Sequence, residues 1–402
     1  MAEKDHYLPI NSEQFNIDEV IEIYFRHGFT QLEILAFLSM YNQVNISLRT
    51  LQRILHDKKL RRQGDGRNLI DVINAVDEEL STDHGQHLGY RAMHQRLVVG
   101  RNITTNRETV RSILLSLDPE GVNMRKQRRL RRREYRVKGP NYLWHLDGWD
   151  KLKPFGLCVH GCIDGFSRRI LWLRVAATNN DPYVICSYFA TYCKGVGGIP
   201  HMIRADRGTE NVNVEIMQTV LGTLNGHGGQ VMFLYGKSTQ NQRIEAWWSK
   251  FKQMGMQTWI DHFKSLSDAG VFDTSTEMDI QCIRFCYMNL LSCELDSIRQ
   301  MWNVHYIRKS RECSSPSGKP DIMYYMPESY NCSDYIKPYM TDDMEYVEDI
   351  LCDMIPDCDI IYHELFSILV AEGQKNMPRC LDEAAHLLVY ILDAARLEFE
   401  RQ

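Results

Sequence analysis

The stretch Tyr142–Ala177 reads YLWHLDGWDKLKPFGLCVHGCIDGFSRRILWLRVAA and carries three apolar, strand-like runs in close succession. They are Tyr142–Trp149, Gly156–Ile163 and Arg169–Ala177. Asp164-Gly165-Phe166-Ser167 between the last two is a turn, because Asp bonds its own backbone and Gly relaxes it. Three runs with short connections predict an antiparallel meander. Downstream the period changes. Asp181-Pro182 opens a helix through Cys193 with Pro at its first position. Gly195-Val196-Gly197-Gly198 is a loop, Ile199–Ala205 a strand ending at Asp206, Glu210–Leu221 a helix and Val231–Tyr235 a strand. One long helix is then expected from Gln240 to Phe263.

The order βββ-α-β-α-β-α predicts an α/β core over residues 139–308: an RNase H-like mixed five-stranded sheet with flanking helices. Three acids stand in it in separate contexts. Asp147 and Asp206 each lie at or near the end of a strand-like run, and Glu245 opens a helical pattern. Carboxylates from two strands and a facing helix can converge on a pair of divalent cations, which clamps the attacking and leaving oxygens of an in-line phosphoryl transfer. Taken singly, each acid reads as a turn or cap residue. Asp164 is expected to be structural and Asp150 a supporting or spectator acid. An ideal helix returns to the face of Glu245 seven positions later, at Lys252, the candidate for gripping a phosphodiester. Arg243 and Lys250 are weaker candidates, and Trp247 and Trp248 are expected to pack rather than stack on bases.

Upstream, residues 15–62 read as three short helices. Thr30 and Glu33 form a capping box, and Ser47 caps a helix that carries Leu48, Leu51, Ile54 and Leu55 on one face and shows Arg49, Arg53, Lys58, Lys59, Arg61 and Arg62 on its other side. This fits a helix-turn-helix that places Arg49 and Arg53 on DNA, or a three-helix bundle with a solvated basic face. Residues 67–118 repeat the pattern, with a second capping box expected at Thr105 and Glu108. His84, His87 and His94 lack a nearby cysteine pair, which excludes a zinc finger. The linker 124–138 holds nine basic residues and one acid. Arg128, Arg129, Arg131, Arg132 and Arg133 there predict contact with nucleic-acid phosphates, which releases counterions, or a nuclear-import signal.

The net charge of −5 conceals that cluster, because residues 321–402 carry 18 acids against 5 bases. That stretch is expected to be an α-helical acidic tail, with helices at Ile360–Glu372 and Leu381–Arg401 and a protein partner whose nature the sequence leaves open. The 12 cysteines show no CxxC spacing, which suits a reducing, intracellular compartment without a disulfide framework. Cys158/Cys162 and Cys282/Cys286 read as buried thiols. No apolar run approaches the roughly 20 residues of a membrane span, and the N-terminal residues lack a secretory pattern.

At its acidic motifs the chain resembles the integrase catalytic core of retroviruses, retrotransposons and related DNA transposons, the DDE polynucleotidyl transferases. The family's Trp-x-x-Asp strand is matched by Trp144 to Asp147, and its second acid by Asp206-Arg207-Gly208-Thr209-Glu210-Asn211. Its helix-opening Glu after a Gln/Asn-rich loop is matched by Ser238-Thr239-Gln240-Asn241-Gln242-Arg243-Ile244-Glu245. Ile163–Arg168 looks like the family's second-strand turn, and Trp302–Arg308 with Pro316–Pro320 is similar to the segment that succeeds many such cores. The likeness covers about residues 139–320. Three features depart from it. The step from Asp206 to Glu245 is 245 − 206 = 39 positions, a few more than in typical retroviral cores, with the glycine-rich stretch Gly222–Gly229 as the extra loop. Arg207 stands where the family usually has Asn, and helix-turn-helix-like units replace the His/His/Cys/Cys zinc module, as in some transposon-derived eukaryotic proteins.

The resemblance implies that Asp147, Asp206 and Glu245 are catalytic and bind Mg²⁺ or Mn²⁺, that the substrate is DNA, that the protein self-associates and that it works in the nucleus. It leaves two function classes: a metal-dependent DNA integrase or transposase, or a captured integrase that binds DNA or chromatin without catalysis. Hydrolysis of RNA in hybrids uses the same fold, but the motifs and the helix-turn-helix-like units argue against it.

Overall fold

Strand β1 (Trp144–Trp149) pairs antiparallel with β2 (Cys158–Asp164), and β2 pairs antiparallel with β3 (Ile170–Ala176). Parallel strands β5 (Met202–Asp206) and β6 (Met232–Gly236) extend the sheet on the other side of β1, in the order β3-β2-β1-β5-β6. A two-residue strand β4 (Gly198–Ile199) pairs separately with β7 (Lys337–Pro338). These features come from a computed structural model, which describes residues 16–61, 69–81, 88–101, 103–118, 137–229, 232–236, 241–309, 316–352 and 357–400. The chain forms two compact units, Met1–Arg131 with Val304–Tyr306, and Arg132–Asn303 with Ile307–Gln402.

In the second unit the sheet is covered on both faces, and strand alternation assigns each side chain to one of them. Trp144 and Leu146 of β1 face helices α7 (Pro182–Val196) and α8 (Val212–Leu224), where they meet Phe189, Ile185 and Met217. Trp149, Val159 and Ile163 join the opposite cluster with α9 (Gln242–Phe251), α10 (Gln257–Asp268) and the long α11 (Glu277–Asn303). Helix α7 starts as its sequence predicts, with the Asp181 carboxylate accepting from the Tyr183 amide and Pro182 in the first turn. This is the expected RNase H-like arrangement.

The helix expected over Gln240–Phe263 is broken. Helix α9 gives way to a π turn at Lys252–Met256, where Gly255 adopts φ 142°, and α10 starts afresh. A φ in that range is open to glycine and strained for other residues, so the apolar period continues across a point where the helix axis cannot. The stretch from Asp321 is also more than a tail. Helix α12 (Pro320–Tyr325) and α13 (Thr341–Leu351) pack Tyr324, Met344 and Val347 into the α7–α8 side. Helices α14 (Ile360–Glu372) and α15 (Leu381–Glu400) bury Phe366, Leu388 and Ile391 against the α11 side. Glu364, Glu372, Asp382, Glu383 and Asp393 of these two helices are exposed, while burial of the apolar stripes contributes about 1.5–3 kcal/mol per large side chain.

Asp164 holds the β2–β3 turn. Its carboxylate accepts from the Asn141 amide at 2.9 Å and from the Ser167 amide and hydroxyl, each at 2.7 Å. Burial lifts its carboxyl to about 6 against the pull of these donors. Asp164→Ala orphans buried donors and is expected to destabilise the protein by about 2–4 kcal/mol. An unchanged urea midpoint would refute this role.

The first unit contains two trihelical groups. Helices α1 (Ile17–Arg26), α2 (Gln31–Tyr41) and α3 (Leu48–Asp57) bury Tyr24, Phe29, Phe37 and Leu51. The Thr30/Glu33 capping box is present, and the Ser47 hydroxyl accepts from the Thr50 amide. Helices α4 (Leu69–Ser81), α5 (Tyr90–Gln95) and α6 (Arg107–Leu117) surround Val76, Met93, Leu97 and Val110. The second cap sits one residue later than expected: Asn106, not Thr105, accepts from the Thr109 amide, and Thr105 is buried with its carbonyl bonded to His94. Asn outranks Thr as a cap, which decides between the neighbours.

Candidate active site

Strands β1 and β5 run parallel with Trp144 opposite Ile203. Asp147 and Asp206 each lie three residues beyond that couple, so both occupy the same register and parity. Neighbouring strands are ~4.8 Å apart, which puts the two carboxylates on one face in the C-terminal halves of adjacent strands. That is where open α/β sheets bind ligands. The same parity turns His145 and Asp147 toward α9, which brings Glu245 in its first turn.

Two long-range ties hold α9 there. The Asn241 side chain donates to the Leu146 carbonyl at 2.7 Å and accepts from His145 Nδ1 at 2.6 Å. Burial depresses the His145 ring to about 3, so it stays neutral, and the orientation of Asn241 makes Nδ1 the protonated nitrogen. One turn after Glu245, Trp248 Nε1 donates to Asp147 Oδ2 at 2.8 Å. Trp248 needs a flat seat for this. A Cβ on Gly161, the residue paired with Asp147 across β1–β2, would lie 2.9 Å from the Trp248 ring.

The three acids act on one another. Burial lifts the Asp147 carboxyl to about 7; the Trp248 bond works against the rise, and the charges of Glu245 and Asp206 add to it. Glu245 is raised by desolvation and then by Asp206, and Asp206 by desolvation. Asp206 Oδ1 is buried with no hydrogen-bond partner among the described residues. Mutually repelling carboxylates and an orphaned acceptor suit a small hard cation, for which Asp147, Asp206 and Glu245 offer only oxygen donors. Among the described residues no three His, Cys, Asp or Glu side chains already stand in cation-holding geometry.

The basic candidates have different surroundings. Lys250 and Lys252 are exposed at the end of α9 and the start of the π turn. Arg243 donates through Nε to the Gly165 carbonyl, which ties α9 to the β2–β3 turn. In the first unit, Arg49 and Arg53 are exposed one turn apart on α3, while Lys58 pairs with Glu22 at 3.2 Å. Arg128, Arg129, Arg131, Arg132 and Arg133 lie outside the described residues. Asp150 is bound by Asn179 and Lys153.

Sequence reasoning passed over Asn241, His145, Gly161 and the bonding role of Trp248. The available signals were a histidine inside an apolar strand and an Asn four residues before the helix-opening acid.

Residues 134–318 match the family model described as an integrase core domain. This segment belongs to the integrase core family. No curated protein matches the chain. The matched range of the integrase core contains the whole five-stranded sheet, all three acids, Asn241 and Trp248, and it ends just before α12.

Proposed function

We propose that this protein is a divalent-metal-dependent polynucleotidyl transferase that cuts and joins DNA strands. The observation that carries the reading is the convergence of Asp147, Asp206 and Glu245 from two parallel strands and a facing helix, with the charges of Glu245 and Asp206 raising Asp147 and that of Asp206 raising Glu245. When bound, a Mg²⁺ or Mn²⁺ pair supplies Lewis acidity for the incoming water or 3′-hydroxyl and for the departing oxygen. Asp147 and Asp206 would hold it from the sheet and Glu245 from α9. The chain itself orients these acceptors: Trp248 and the Gly148 amide donate to Asp147, which opposes part of the rise caused by burial, and Asn241 fixes the start of α9 on β1. Lys252 and Lys250, exposed at the start of the π turn and the end of α9, would supply positive charge for the phosphodiester. DNA is the expected partner, the nucleus the expected compartment, and self-association the means of bringing two DNA ends together.

The test is strand cleavage and strand transfer on short duplexes with Mg²⁺ or Mn²⁺. Metal-dependent products that vanish when the acids are replaced support the reading. Folded protein that binds DNA but yields no product with any duplex end would favour a captured DNA-binding protein.

The basic linker makes its own prediction. Neutralising Arg128, Arg129, Arg131, Arg132 and Arg133 together is expected to flatten the dependence of log K on log[salt] by up to about 0.9 for each phosphate no longer neutralised. An unchanged slope in fluorescence-anisotropy titrations would remove the linker from the interface.

A further inference from the structure

Helix α9 carries two adjacent buried tryptophans that differ in one respect. Trp247 stacks on Phe251, lies edge-on to Trp302, and leaves its indole N–H without a hydrogen-bond partner among the described residues. Trp248 places its N–H 2.8 Å from Asp147 Oδ2, across 101 residues of chain. Both bury a similar hydrocarbon surface, but only one reaches the acidic site.

We infer that Trp248 is a positioning residue for the divalent cation: its indole N–H, seated on Gly161, fixes the Asp147 carboxylate in the orientation the cation requires. This rests on the metal-dependent reading above and adds a residue to it. Three observations carry the inference. The bond joins α9, which supplies Glu245, to the strand that supplies Asp147, so one contact sets the separation of two of the three acids. The seat is built for the ring, because any side chain at Gly161 would meet Trp248 at 2.9 Å and Leu173 at 3.3 Å. The backbone at Gly161 does not have positive φ, so close approach of the ring is the reason for glycine there. Donors to a ligating carboxylate fix its orientation, and losing one typically costs 10–100-fold in metal affinity.

The test compares full-length wild type, Trp248→Phe and Trp247→Phe by Mn²⁺ titration, with free Mn²⁺ followed by electron paramagnetic resonance. Both variants delete an indole N–H and shrink a buried ring, so packing losses are matched. Trp248→Phe is expected to weaken Mn²⁺ binding by about 10–100-fold. Trp247→Phe should shift it by less than about 3-fold, since that N–H does not reach the acids. Saturating Mn²⁺ should restore most cleavage to Trp248→Phe, which separates a metal-affinity defect from a catalytic one. Gly161→Ala, which keeps the indole but disturbs its seat, should weaken Mn²⁺ in the same direction and carries the test if Trp248→Phe does not fold. Equal shifts in the two tryptophan variants, or none, would overturn the inference while leaving the metal site intact. Failure of wild type to bind Mn²⁺ would overturn the metal-dependent reading itself.

Discussion

Glu245→Gln is expected to abolish metal-dependent strand cleavage while leaving the protein folded and DNA affinity within about 2-fold of wild type. Glutamine keeps the size and helix propensity of glutamate, and position 245 is exposed, so the fold should change by no more than about 0.5 kcal/mol. The variant loses a charged oxygen ligand, replaced at one atom by an N–H₂ donor that cannot coordinate a cation. Lewis-acid stabilisation is worth several kcal/mol, so cleavage should fall on the order of 10³-fold or more. Single-turnover cleavage with Mg²⁺ and Mn²⁺, beside anisotropy measurement of DNA binding, checks both halves. A folded variant that still cleaves would exclude Glu245 from the site. Loss of cleavage and DNA binding together would indicate a misfolded core.

The second large effect concerns stability. In the folded, metal-free protein the Asp147 carboxyl is raised to about 7, chiefly by burial. The unfolded chain titrates it near ~3.9. Between those values the folded state holds a proton that the unfolded state has released, so this group's stabilising contribution is full below ~3.9 and is lost as pH rises through about 7. Asp147→Asn removes the charge and can still accept the Trp248 bond through its amide oxygen. In EDTA at pH 8 the variant is expected to be more stable than wild type by a few kcal/mol, since each pKa unit corresponds to about 1.4 kcal/mol. The difference should shrink toward pH 5. Mg²⁺ should then raise the Tm of wild type and leave that of the variant nearly unchanged, because only a bound ligand stabilises.

Comparing the variant with wild type at each pH isolates Asp147 from other groups. Asp164, raised to about 6, titrates with the same sign. His145 and His160, both depressed to about 3 by burial, contribute stability above ~6.5 that is lost as pH falls through their folded values. Equal Tm values for variant and wild type in EDTA across pH 5–8 would show that Asp147 ionises freely.

Much of the architecture was legible because it is written locally. The apolar runs of β1 to β3, the Asp164 turn, the Asp181-Pro182 start of α7 and the Thr30/Glu33 box each depend on residues within a few positions of one another. The three acids were singled out by motif, and the register of β1 against β5 shows why their spacing works: two acids three residues past a paired couple must share a face. Local reading failed where neighbours offered competing solutions. Asn106 captured the cap expected at Thr105, and Gly255 broke a helix whose apolar period runs on through it.

The sequence by itself determined the strand and helix order, the polarity of each face and the three carboxylates. Their shared environment was decided by tertiary structure. The bond from Trp248 to Asp147, the clamp of Asn241 on β1 and the space left by Gly161 join residues that are distant in the chain. Such contacts exist only once parallel pairing and the return of α9 have set register and separation. The same holds for the C-terminal helices. Their acidic composition suggested an appendage, but their apolar stripes had to be buried, and the sheet-covering helices offered the surface. Periodicity specifies that a face will be buried, while the partner that buries it is fixed by chain topology.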